Sequence, residues 1–330
     1  MLEVKDLQVK FNTKGKTVHA VRGISFKLCK GETLAIVGES GSGKSVTSRA
    51  IMGLLGYNAE TSGEIVLEGD NLLSLSEEEM CKIRGKRIAM VFQDPFSSLD
   101  PIMRVGEQLT EAMDRKSLSK SQRLEKAIRL MSEVGIPEPE KRINQYPFEL
   151  SGGMRQRIVI AIALASDPDI LICDEPTTAL DVTIQAQILE LIEGLKRQRR
   201  LSVIFITHDL GVVAKVADRV AVMYAGKIVE VGTVHEIFYE SRHPYTWALL
   251  SCAPSLDEGE KLQSIEGSAP DLSRKIVGDA FAPRNEYALN IDFVAEPPEY
   301  KLSETHSVFS WLMHENAPRV EPPERARRGI

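Results

Sequence analysis

Gly38-Glu39-Ser40-Gly41-Ser42-Gly43-Lys44-Ser45 is the stretch from which the fold is read. It fits GxxxxGK[ST], follows the continuous apolar run Thr33-Leu34-Ala35-Ile36-Val37, and opens the helical pattern from Ser45 to Leu55. Strand, glycine turn and helix in that order are the context in which such a loop cradles phosphates. Glycines let backbone N–H groups wrap the anion, and the helix N-terminus adds its partial positive charge. Lys44 reaches the terminal phosphates and the Ser45 hydroxyl is placed for Mg²⁺. Gly38, Ser40, Gly41, Gly43 and Val46 complete the expected phosphate-binding set. A glycine turn before a helix is the bland alternative, and the strand in front argues against it.

Outward from that loop, two further apolar runs, Asp169 to Cys173 and Ser202 to Ile206, have the composition of strands buried on both faces. Each is followed by polar punctuation and a helical pattern, which predicts an α/β fold with a parallel sheet and crossover helices. Leu2, Val4, Leu7, Val9 and Phe11, then Val21, Ile24, Phe26 and Leu28, predict an antiparallel β subdomain at the start. The stretch from Pro101 to Arg142 has helical spacing and no strand, so a helical insert is expected, with a helical subdomain over about 96–165. After Asp218, RVAVMYAG and KIVEVG read as a hairpin turning at Ala225-Gly226. Eight of the sixteen prolines fall between Pro254 and Pro323. The expected division is therefore 1–240 as the nucleotide-binding domain and 241–330 as a small appended unit, with a flexible tail from about 315 too polar to pack.

The 330 residues are 43% hydrophobic and 27% charged, ordinary values for a globular chain, which exclude disordered and collagenous classes. With 41 basic against 47 acidic residues, net −6, no basic field exists to draw in a polyanion, so no nucleic-acid partner is expected. Cys29, Cys81, Cys173 and Cys252 form no CxxC pair and read as reduced core or boundary thiols. Glu3 and Asp6 stand where an export signal would be basic, so none is expected. The longest apolar stretch, Ile158 to Ala165, is too short to span a bilayer.

The second carrier of chemistry is Asp169-Ile170-Leu171-Ile172-Cys173-Asp174-Glu175-Pro176. A buried strand ending in two carboxylates delivers them to the carboxyl edge of the sheet, where the phosphate loop is expected to lie. Asp174 can hold Mg²⁺ and Glu175 can polarise a water toward the terminal phosphate. Alone, such a pair is more often a helix cap; beside a phosphate loop the reading inverts. Gln93, after RIAMVF, and His208, after SVIFIT, end two more strand-like runs. Either alone is usually a capped turn. At this edge Gln93 can sense Mg²⁺ or the attacking water and His208 can bond the phosphate.

Leu150-Ser151-Gly152-Gly153-Met154-Arg155-Gln156 opens a further helix with exposed N–H groups. An ordinary cap is the reading of Ser-Gly-Gly alone. Together with the phosphate loop, Gln93, Asp174-Glu175, Ala179-Leu180-Asp181 and His208, the chain resembles the nucleotide-binding subunit of ABC transporters over residues 2 to about 240. The resemblance implies an ABC-type P-loop NTPase in which Phe11 stacks on adenine, Lys44 and Ser45 bind phosphate and Mg²⁺, and Gln93 is the Q-loop residue. It further implies Asp174 as the Walker B aspartate, Glu175 as general base, Asp181 in the D-loop and His208 as the switch. Ser151, Gly152 and Gly153 would contact ATP held by a second subunit, in a head-to-tail dimer with two ATP molecules. Met154 stands where many members have Gln, a departure expected to be tolerated.

His243-Pro244-Tyr245-Thr246 with WALL, then IEGSAPDL and FAPR, resembles the ATPase subunits of bacterial peptide and nickel importers. Many of those carry four cysteines around an iron–sulfur cluster; the matching positions here are Asp279, Asn285, Asp292 and Ser310, so no cluster is expected. Phe281, Tyr287, Leu289, Ile291, Phe293, Phe309, Trp311 and Leu312 are the apolar residues expected to hold the unit instead. The resemblance implies an ATP-hydrolysing motor for an oligopeptide or dipeptide importer, peripheral on the cytoplasmic face of the membrane. Its expected partners are a second ATPase subunit, a paralogue, two membrane-spanning permease subunits and an extracellular peptide-binding protein. A nickel or other small-solute importer is the alternative within the family, and a soluble ABC-type factor the alternative outside it.

Overall fold

A computed structural model of the chain describes residues 1–13, 15–178, 180–252 and 264–327; Ala179 lies outside the described residues. The chain forms two compact units, one of residues 1–74 with 206–330 and one of residues 75–205. The first opens with β1 (Leu2–Thr13), β2 (Lys16–Leu28), β3 (Thr33–Val37), β4 (Ala59–Leu67) and the short β5 (Asp70–Asn71). The second holds β6 (Ile88–Val91), β7 (Ile170–Asp174) and most of β8 (Ser202–Thr207). The chain then returns to the first unit for β9 (Arg219–Tyr224), β10 (Lys227–Thr233), β11 (Glu299–Lys301) and β12 (Ser307–Phe309).

In the first unit β1 pairs antiparallel with β2 and with β4, in the order β2-β1-β4-β5. The sequence spacing Leu2, Val4, Leu7, Val9 breaks strict alternation once, and the register shifts between Val4 and Leu7 show why. Asp6 sits there with a φ of 45°, a bulge that returns the apolar side chains to the same face. All five residues of β3 are buried, as a strand covered on both faces requires. It runs parallel to β9 (Leu34↔Arg219 to Val37↔Val222), which turns back antiparallel into β10. Ala225 and Gly226 form the turn with φ of 46° and 80°, the pair of left-handed residues that a two-residue hairpin favours.

The region after residue 240, expected as a small appended unit, extends the sheet of the first unit. It belongs to the first unit, because β12 adds to the free side of β10 (Glu230↔Val308, Val231↔Ser307) and β11 adds to β12. Phe281 and Leu312 are buried with Tyr224, Tyr245 and Trp247, and Tyr287 and Leu289 pack against that cluster. Ile291 and Phe293 are exposed, so these two of the expected core residues do not serve it. The tail is a second correction. Rather than staying unpacked, the helix Glu324–Arg327 buries Ala326 at 3% exposure, and Arg325 Nη1 donates to the Ser251 carbonyl at 3.3 Å. Val320 packs against the same apolar cluster that takes Ala326, so the segment has a seat although its composition is polar.

In the second unit β6 and β7 run parallel (Ile88↔Ile170 to Val91↔Cys173), with β8 on the other side of β7. Among the described residues, helices and turns fill the stretch from Pro95 to Ala163. Lys120–Glu133, with Ala127, Leu130 and Met131 buried, starts at a capping box of Ser119 and Gln122. No helix of the described residues is long and apolar enough to cross a membrane.

Candidate ATP site

The phosphate loop leaves β3 at Gly38 and enters the helix Lys44–Ile51 at Gly43. Gly38 has a φ of 151°, and a Cβ there would lie 2.0 Å from the Met223 carbonyl oxygen. At Gly43, with φ of 102°, a Cβ would lie 2.5 Å from the Ala20 carbonyl oxygen. Neighbouring backbone thus passes too close for any side chain, which is why these positions are glycine. The Lys44 side chain is buried and folds back across the loop, its Nζ donating to the Gly38 and Glu39 carbonyls at 2.7 and 2.9 Å. Ser40 and Gly41 are exposed at the tip, and Ser45 and Val46 are half-buried at the helix start. The first helical turn holds no acidic side chain, so nothing there opposes an anion.

The loop also has anchors that the sequence reading did not single out. The Glu39 N–H donates to the Tyr245 hydroxyl at 2.8 Å, and Arg284 places a two-pronged ion pair on the Glu39 carboxylate at 2.7 and 2.9 Å. Burial pushes the Tyr245 and Tyr224 hydroxyls above the usual phenol range, so both stay protonated. The signal for these residues lay in HPYT and FAPR. Elsewhere in this unit His208 is exposed between β8 and the helix Leu210–Val216, whose first N–H groups are capped by Asp209. Phe11 is half-buried in β1 opposite Val18 and Ala59.

The second unit brings Gln93, Asp174 and Glu175 together. Asp174, the last residue of β7, is buried at 3% exposure. Burial, with the Asp174 charge next to it, raises the Cys173 thiol to about 12, leaving it inert. Glu175 follows with a φ of 48°, a left-handed conformation that a non-glycine residue adopts at a cost of about 1–3 kcal/mol. The bend sends its carboxylate off the strand axis, where Oε2 accepts from Gln93 Nε2 at 3.0 Å and from Thr178 Oγ1 at 2.9 Å. Thr178 escaped the sequence reading; its place three residues after Glu175 was the available clue. Cys29 and Cys81 are exposed, not core, and all four cysteines are free.

Ser151 caps the helix Gly152–Ala163, its Oγ accepting from Met154 N at 3.3 Å, and Asp181 caps the helix Val182–Arg199, accepting from Ile184 N at 2.9 Å. The two helix starts are neighbours, since a Cβ on Gly153 would lie 2.8 Å from Ile184 Cγ2. A glycine there lets the helices approach.

In the C-terminal region, the four positions of the cysteine pattern hold oxygen-bearing side chains with work of their own. Asp279 accepts from Phe281 N at 3.0 Å, Asn285 from Tyr287 N at 2.9 Å, Asp292 from Leu289 N at 2.6 Å and Ser310 from Leu312 N at 3.3 Å. Among the described residues no group of three or more His, Cys, Asp or Glu is placed to hold a metal ion.

Residues 21–178 match the model of the ABC transporter family, and residues 229–291 that of the oligopeptide/dipeptide transporter C-terminal region. The oligopeptide transport ATP-binding protein OppD of Bacillus subtilis (strain 168) is 60% identical, over 99% of this chain and 93% of its own length. The chain belongs to the ABC transporter ATP-binding proteins. The dipeptide transport ATP-binding protein DppD of Lactococcus lactis is 56% identical over 98% of this ABC ATPase and 94% of its own length. A dimeric ATP-binding cassette, solved after hydrolysis with ADP and Pi, superimposes with a TM-score of 0.64 at 28% identity. It covers 71% of this ABC ATPase and 99% of the cassette.

Proposed function

We propose that this ABC ATPase is the motor subunit of an oligopeptide or dipeptide importer, peripheral on the cytoplasmic face of the membrane. The hydrogen bond from Gln93 to Glu175, beside buried Asp174, carries this reading: it holds a carboxylate at a strand end where a base is needed. Gly38, Ser40, Gly41, Gly43 and Val46 cradle the phosphates of ATP, Lys44 balances their charge, and Phe11 stacks on adenine. Glu175 takes the proton of the attacking water while Gln93 and Thr178 keep its carboxylate oriented, and His208 bonds the terminal phosphate. Ser45, Gln93 and Asp174 would hold Mg²⁺ through oxygen atoms, the hard donors this ion takes alongside a substrate's phosphates. When bound it supplies neutralisation of phosphate charge.

Ser151, Gly152, Gly153 and Asp181 serve the ATP of a second ATPase subunit, a paralogue, so that two composite sites form. Their neighbouring helix starts support a common face. Two permease subunits receive the motion through the helical stretch, where Phe96, Ile102 and Phe148 are exposed apolar side chains. An extracellular binding protein supplies the peptide. No iron–sulfur cluster belongs to this chain: Asp279, Asn285, Asp292 and Ser310 are hard-oxygen residues already closing local turns, and such clusters need thiolates. Anaerobic purification is expected to give no stoichiometric iron or acid-labile sulfide. The deciding experiment is Glu175→Gln in the assembled transporter. ATP binding should persist while turnover falls by about 100-fold or more; unchanged turnover rejects the assignment.

A further inference from the structure

Glu39 is the first variable position of the phosphate loop, and each of its polar groups is held by the chain itself. Its N–H goes to the Tyr245 hydroxyl and its carboxylate takes both prongs of Arg284. Its carbonyl receives Lys44 Nζ at 2.9 Å and Ser42 N at 3.2 Å. Arg284 is equally committed. Nε donates to the Glu266 carbonyl at 2.8 Å, Nη2 also reaches the Ile265 carbonyl at 3.2 Å, and Nη1 reaches the Tyr224 hydroxyl at 3.2 Å. Its side chain is 6% exposed, so this is no solvated surface pair of negligible worth.

Following the bonds gives a short path. Arg284 and Tyr245, both beyond the cassette proper, fix residue 39, and the carbonyl of residue 39 is one on which Lys44 rests. Between Gly38 and Ser42 the loop has two exposed residues at its tip, one of them glycine. Without an outside anchor that limb gains backbone freedom, and re-ordering it on binding costs conformational entropy.

We infer that Arg284, assisted by Tyr245, is a positioning residue for the ATP site, through which the C-terminal region sets the loop's affinity for nucleotide. The inference rests on the reading that Gly38–Ser45 binds the phosphates of ATP. A staple that merely attached the region would alter thermal stability and leave ATP affinity untouched; a positioning contact moves KM and binding while kcat at saturation stays.

The test is ATP titration of the full chain, with melting of the nucleotide-free protein followed in parallel, for Arg284→Gln, Arg284→Lys, Glu39→Gln, the double variant Arg284→Gln/Glu39→Gln, and Lys44→Ala. Arg284→Gln and Glu39→Gln should each weaken ATP by about 10-fold, Arg284→Lys by about 3-fold, and the double variant no more than either single, since the two side chains act as one pair. In the transporter purified with its membrane subunits, KM should rise in proportion with kcat within about 2-fold. If Lys44→Ala abolishes binding while folded Glu39→Gln binds ATP as the parent does, the positioning role falls and the ATP site stands. Losses that add in the double variant also overturn the role. If Lys44→Ala binds normally, the reading of the loop falls and the inference falls with it. Should Arg284→Gln fail to fold, Glu39→Gln, which keeps the side chain's shape, decides.

Discussion

In the phosphate loop the turns are made by Gly38, Gly41 and Gly43, with φ of 151°, 80° and 102° and no side chain over the backbone. In the C-terminal region the turns at Asp279, Asn285, Asp292 and Ser310 are closed by side-chain oxygens accepting from nearby N–H groups. Both are compact loop structures of one unit, built on opposite principles. A loop that must admit a polyanion keeps its backbone approachable and takes its rigidity from glycine geometry and outside anchors. A region with a structural task spends its polar side chains on its own backbone, as short turns commonly do.

The largest test of this contrast is within the loop. Gly38→Ala should destabilise the chain by about 3 kcal/mol or more and abolish ATP binding, because the methyl meets the Met223 carbonyl. Gly41→Ala meets nothing within 4 Å and should cost only about 1 kcal/mol, the strain of its left-handed backbone. Denaturant unfolding of the two checks this, and equal losses would break the account of where the loop is rigid.

A smaller effect is expected at Asp279, which is 9% exposed. Burial, with the Glu296 charge adding to it, raises its carboxyl to about 6 against the hydrogen bond from Phe281 N and the nearby Arg22. From about 3.8, its unfolded value, up to about 6 the folded chain binds more protons, so this residue's contribution to stability declines as pH rises through that window. Asp279→Asn keeps the oxygen that caps Phe281 and removes the buried charge. It should exceed the parent in stability by about 1–3 kcal/mol at pH 8, with the gap closing toward pH 4. A gap that ignores pH in urea unfolding would show that charge burial is not its origin. The smallest effect is Asn285→Ala, which removes the acceptor for Tyr287 N and should cost about 0.5–1 kcal/mol. No change in its unfolding midpoint would reduce that turn closure to an incidental contact.

What the sequence discloses divides along the same line. The loop, the strand ending in Asp174-Glu175 and the hairpin at Ala225-Gly226 are legible because each is local: a residue pattern within about ten positions sets the backbone. Even the bulge at Asp6 is visible as a skipped beat between Val4 and Leu7. The pairing of Arg284 with Glu39 spans 245 positions and has no periodicity to announce it. The buried carboxylate of Glu230, which accepts from Arg242 N, His243 N and His306 Nε2, is equally hidden, since it looks like one polar residue of an alternating strand. Burial lowers the neighbouring His243 to about 4, keeping it neutral. The packed tail was missed because a polar composition predicts that a segment is not core, but not that it lacks a seat.

The added strands β11 and β12 have a consequence for solubility. A sheet that ended at β10 would offer its whole length as a template for a strand from another molecule. Instead the sheet ends on that side with β11, three residues long, carrying exposed Glu299 and Lys301 and preceded by Pro297 and Pro298, which have no N–H to donate. The terminus of the sheet is short, charged and proline-guarded. A chain cut before Glu299 would lose the β12 partners of Glu230 and Val231 and leave that side of β10 as the kind of open edge that pairs with other chains.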